Sequence, residues 1–144
     1  MSAQGLEVID HTVQLTHEWI NELRERLDWY SSRDALRLLR VTLSQIRDHL
    51  GHDEVAQLSA QMPLLIRGMF FEGWQPAHTP VRDRKMDNFV AAIEAQVEDV
   101  RDWRGEEDIA CVFRTLDNRI SEGEIRDVKA SLPKAIRDLW PDYS

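Results

Sequence analysis

Apolar residues recur every three or four positions through the first half of the chain. In HTVQLTHEWINELRERLDW, Val13, Leu15, Trp19, Ile20, Leu23 and Leu27 are separated by Asn, Glu and Arg, the period of an amphipathic helix. Ser31 and Ser32 follow as candidate N-caps. The next stretch, RDALRLLRVTLSQIRDHL, carries Leu36, Leu39, Leu43, Ile46 and Leu50 on one stripe, and Gly51 stops it. A third helical segment starts near His52 and is interrupted at Pro63.

The same skeleton then returns. Shifted by 70 positions, residues 19–70 fall on 89–140 without a gap. Trp19 meets Phe89, Ile20 meets Val90, Leu23 meets Ile93, Leu27 meets Val97 and Tyr30 meets Val100. The register continues through Leu43 with Phe113, Ile46 with Leu116, Val55 with Ile125 and Leu58 with Val128. Five identities accompany it: Glu54 with Glu124, Ala60 with Ala130, Pro63 with Pro133, Ile66 with Ile136 and Arg67 with Arg137. Ser121 and Glu124 have the spacing of a capping box, and Gly51 and Glu54 repeat it with a weaker cap.

Pro63 and Pro133 lack an amide proton and push the residue before them out of helical angles, so a helix breaks there and a short one begins. The fold class expected is all-α: a helical bundle of two homologous lobes with approximate internal twofold symmetry and short proline-broken helices closing each lobe. The first lobe spans residues 8–74, a linker 75–82 and the second lobe 83–141, within a single globular domain over residues 1–144. Two halves of about 55 residues are each marginal alone, which favours one shared core.

The phrase LSAQMPLLIRGMFFEGW, with its echo VKASLPKAIRDLW, resembles the bacterial domain-of-unknown-function family 2267. Members of that family carry a helical pattern of the type L-x-x-Q-L-P-x-x-L-R, followed by aromatics and G-W, often twice. The resemblance runs over about residues 8–140. It implies an all-helical bacterial domain and brings no catalytic residue, ligand or activity with it. The second copy departs from the pattern: Gln61 becomes Ser131, and the G-W tail gives way to Trp140, Pro141, Asp142 and Tyr143.

Charge narrows the possible partners. With 26 acids against 18 bases the formal net charge is −8, which opposes a phosphate backbone, so no nucleic-acid partner is expected. No apolar run reaches the roughly 18 residues a membrane helix needs, and MSAQGLEVIDH has neither the basic start nor the apolar segment of a signal peptide. The expectation is a soluble cytoplasmic protein with no membrane partner. Cys111 is the one cysteine; set between Ile109, Val112 and Phe113, it reads as a buried small hydrophobe whose thiol is held protonated.

Constellations that carry chemistry are sparse. His49 and His52 flank Gly51, which breaks the helical face they would need to share around a metal ion. Glu106, Glu107 and Asp108 sit where a helix starts and complement its dipole, while Glu98, Asp99 and Asp102 belong to a polar face. The six glycines form no phosphate-binding loop. No catalytic residue, metal site or cofactor is therefore assigned.

Four residues remain as binding candidates. Arg67 and Arg137 share one repeat position near the end of each half, where a guanidinium bonds terminal carbonyls or meets an anion or partner. Phe71 and Trp74 fall on Pro141 and Ser144, so the repeat does not account for them. The expected function is a non-catalytic protein-interaction or self-association module, with a protein partner or a homo-oligomer. The alternative is a small-ligand-binding protein or enzyme with a pocket between the lobes, lined by Arg67, Arg137 and aromatics.

Overall fold

Every regular element of the computed structural model, which describes residues 5–142, is helical. The order is α1 (Glu7–Leu27), α2 (Ser32–Asp48), α3 (His52–Ser59), α4 (Leu64–Phe71), α5 (Met86–Val97), α6 (Glu106–Arg119), α7 (Glu122–Ser131) and α8 (Lys134–Arg137), with a 3-10 turn at Pro76–His78. Tyr143 lies outside the described residues.

Local chemistry sets the breaks. Asp28 takes left-handed angles (φ 57°, ψ 40°) and turns its N–H back onto the carbonyls of Arg24 and Glu25, ending α1. The Ser31 hydroxyl accepts from the Asp34 N–H at 3.1 Å and opens α2. Gly51 precedes α3 and Ser121 precedes α7. Pro63 and Pro133 stand before α4 and α8 at φ −55° and −54°, each with extended ψ.

Buried side chains from both halves of the chain form one continuous cluster. Helices α1 and α6 pack together, as do α2 and α5, so the N-terminal helices lie across the C-terminal ones. Further contacts join α3 to α7, α1 to α4 and α5 to α8. Trp19 and Phe89, Leu43 and Phe113, Leu58 and Val128, and Phe70 and Trp140 are all buried. Phe113 and Trp140 stack with centroids 4.4 Å apart, and the Trp140 indole N–H donates to Asp117 at 2.9 Å.

Three expectations are corrected. Val13 is exposed and Leu15 only half-buried; the buried stripe of α1 runs instead through Thr12 and Thr16. The Thr16 hydroxyl donates to the Thr12 carbonyl at 2.6 Å, which lets the residue enter the core without an unsatisfied group. Tyr30 is 96% exposed while Trp29 beside it is buried, because the left-handed turn at Asp28 rotates the chain before α2. The capping box is only half formed. Ser121 Oγ accepts from the Glu124 N–H, but the Ser121 N–H is taken by Gln61 Oε1 at 2.8 Å, and the Glu124 carboxyl is directed toward Glu54.

The linker, though largely exposed, is tied down. His52 Nε2 bonds the carbonyls of Pro76 and Thr79 at 2.9 and 3.0 Å, and the Val81 N–H donates to the Asp48 carbonyl at 2.7 Å.

Candidate functional site

Arg67 reaches back from α4 to the end of α3. Its Nε donates to the Ser59 carbonyl at 2.9 Å and its Nη2 to the Met62 carbonyl at 3.1 Å. Carbonyls at a helix end have no intrahelical donor, so a guanidinium placed there satisfies several at once. Arg137 repeats the gesture from α8, donating from Nη1 to the Lys129 carbonyl at 3.4 Å. Each arginine thus serves its own pair of helices.

Phe71 and Trp74 do come together. Their rings lie 5.5 Å apart, Phe71 continues edge-on to Phe70, and Trp74 continues edge-on to His52. Both are partly buried against the core, and the Trp74 indole N–H donates to Thr79 Oγ1 at 3.1 Å. Arg47 braces the same corner from α2. It is buried, paired with Asp48 at 2.8 Å, and donates to the carbonyls of Phe70 and Glu72 at 2.8 and 3.0 Å.

A different surface is the more open one. Val8 (70% exposed), Ile9 and Val13 project from the first two turns of α1, and Leu64 (57% exposed) and Leu65 project from the start of α4. The Leu65 N–H donates to Thr12 Oγ1 at 3.1 Å, so the start of α4 is seated beside the turn that carries Val8, Ile9 and Val13. Five exposed aliphatic side chains thus belong to two helix starts joined by that bond. Sequence reasoning missed this surface, yet a signal existed: Leu64 and Leu65 fall on Lys134 and Ala135 under the repeat, the same kind of departure that singled out Phe71 and Trp74.

The polar candidates have structural partners. His49 Nδ1 bonds the Gln45 carbonyl at 2.7 Å, while His52 faces the linker, so the two rings address different backbones. Among the described residues no group of three or more His, Cys, Asp or Glu converges as a metal cage. Asp108 is buried; burial pushes its carboxyl up, and Arg104 opposes that with a 2.9 Å ion pair. Arg104 also donates to the Leu27 carbonyl at 2.6 Å, pinning the end of α1 to the start of α6. Burial raises the Cys111 thiol, and its Sγ donates to the Arg26 carbonyl at 3.4 Å.

A groove of about 570 Å³ runs between α2 and the end of α4, lined by Leu36, Val41 and Met69 among apolar residues and by Arg37 and Arg40 among charged ones. Asp99 and Glu72 pair with Arg37 and Arg40 at 2.9 and 2.8 Å and offset the charge of those two, while Arg33 also lines the groove. Arg67 and Arg137 do not line it.

Among the described residues no helix is long and apolar enough to cross a membrane. Comparison with curated proteins finds no match. The duplicated P-x-x-I-R signature, residues 63–67 and 133–137, lies inside a wider match: the model of the family described as "Uncharacterized conserved protein (DUF2267)" matches residues 16–139, and the chain belongs to that family.

Proposed function

We propose that the protein is a non-catalytic helical module that self-associates through the aliphatic surface formed by Val8, Ile9, Val13, Leu64 and Leu65. The reading rests on five exposed aliphatic side chains carried by the starts of α1 and α4, which the Leu65 N–H to Thr12 Oγ1 bond holds together. A contiguous exposed apolar patch costs solubility and is otherwise covered by a partner. The five side chains carry no charge, and a second copy offers the same apolar set under a twofold axis, with Glu7 and Asp10 of the same turns placed outside the contact.

In this reading Arg67 is a positioning residue, since it anchors the helix that presents Leu64 and Leu65. Phe71 and Trp74 brace the following corner, and Arg137 does for α8 what Arg67 does for α4. The chain is further read as two homologous lobes related by an approximate twofold axis. Support comes from paired contacts, α1 with α6 against α5 with α2, and α1 with α4 against α5 with α8. The buried free thiol of Cys111 suits a reducing, cytoplasmic setting.

Sedimentation equilibrium of the wild type and of an Ile9→Asp, Leu64→Asp variant tests the proposal. The wild type is expected to show concentration-dependent dimers and the variant to remain a folded monomer. A wild type that is monomeric at every concentration, or a variant that dimerises equally, overturns it.

A further inference from the structure

Glu54 on α3 and Glu124 on α7 meet where these two helices pack, seventy positions apart in sequence. Glu124 is only 8% exposed. The two carboxyl groups lie within hydrogen-bonding reach of each other, and Oε2 of each is buried without a donor from the protein. Two carboxylates offer acceptors only, so a bond between them closes when one carries a proton and donates it to the other. Glu54 is half-buried, and two like charges held against each other at such a contact repel.

Among the described residues, no cation joins the charged groups that act on Glu124, which are Glu54 from α3 and Asp127 from its own helix, both acidic. On α3, His52 is engaged with the linker carbonyls and Asp53 is exposed. On α6, Arg119 is paired with Glu22, and Asp117 accepts from Trp140. On α7, Arg126 faces Glu122, and Lys129 sits over the Trp140 ring.

We propose that Glu54 and Glu124 are a shared-proton site, a carboxyl–carboxylate pair that closes the α3–α7 contact when protonated and loosens it when the proton leaves. The step is a simple dissociation: the pair, carrying one negative charge, releases one proton to solvent and becomes two facing carboxylates. Their repulsion acts directly against Val55 and Leu58 on one side and Ile125 and Val128 on the other, all buried in the closed form. Burial first, and the bond with Glu54 next, push the Glu124 carboxyl up to about 8, so the transition lies near neutral pH.

The sign follows from linkage. The folded chain holds a proton that the unfolded chain has released, so the contribution of this group to stability is full below its ordinary range and is lost as pH rises toward about 8. Urea midpoints of the wild type and of Glu124→Gln, taken at mildly acidic, neutral and mildly alkaline pH, read this directly. The amide keeps a donor toward Glu54 at any pH. The wild-type midpoint is therefore expected to fall below that of the variant as pH rises, with the gap widest at the alkaline end. Glu54→Gln gives the same result from the other side and serves if Glu124→Gln fails to fold. Carbon-13 titration of the glutamate carboxyls in the wild type is expected to show one group protonating well above the rest, and that signal is expected to vanish in either variant. Parallel midpoint profiles for wild type and variants, or no glutamate titrating above the ordinary carboxylate range, would overturn the proposal.

Discussion

Helices α4 and α8 start from the same instruction and end with different surfaces. Each follows a proline at nearly the same φ, each buries an isoleucine (Ile66, Ile136), and each sends an arginine back to the helix before it. Each segment also delivers one large aromatic to the core, Phe70 or Trp140. Where α4 presents Leu64 and Leu65, α8 presents Lys134, paired with Asp138 at 2.9 Å, and Ala135. What the two share is what folding requires of that segment. What they do not share is not required for folding that segment, and the proposed self-association gives the exposed leucine pair a use.

The largest effect should come from the shared part. Phe70→Ala and Trp140→Ala each remove a buried aromatic and are expected to cost about 3–5 kcal/mol by urea unfolding. Phe70 belongs at the upper end, because it is fully buried while Trp140 keeps 5% exposure. A cost near zero for either would break the equivalence of the two segments.

Their arginines sharpen the comparison. Arg67 makes two good bonds, to Ser59 at the end of α3 and to Met62 just beyond it, whereas Arg137 makes one long one to Lys129. Arg67→Ala should therefore lose about 1–2 kcal/mol and Arg137→Ala about 0.5 kcal/mol in the same assay. Equal losses would mean that the carbonyl bonds are not what either arginine contributes.

The helices were legible because burial imposes a period on the sequence, and the duplicated period made α2, α3 and α4 readable again as α6, α7 and α8. What escaped was decided by hydrogen bonds rather than hydropathy. Thr12 and Thr16 take the buried stripe in place of Val13 because each hydroxyl has a partner, Thr16 donating to the Thr12 carbonyl and Thr12 accepting from the Leu65 N–H. Glu124 has the spacing of a cap, and only the packing of α7 on α3 reveals that its carboxyl turns to Glu54 while Gln61 caps the helix in its place. The aliphatic surface joins residues 8–13 to 64–65 through a bond between distant turns, which no local pattern announces.

The smallest effect on stability should accompany the largest on association. Replacing Leu64→Lys together with Leu65→Ala writes the α8 surface onto α4 and is expected to change stability by only about 0.5 kcal/mol, since both side chains are solvent-facing. It should nevertheless abolish dimerisation. Methyl NMR across a dilution series measures this at the residues concerned. Methyl signals of Val8, Ile9, Val13, Leu64 and Leu65 are expected to shift together with concentration in the wild type while Ala135 stays fixed, and the shifts are expected to disappear in the double variant. Methyls that are indifferent to concentration, or an Ala135 that moves as much as Leu65, would contradict it.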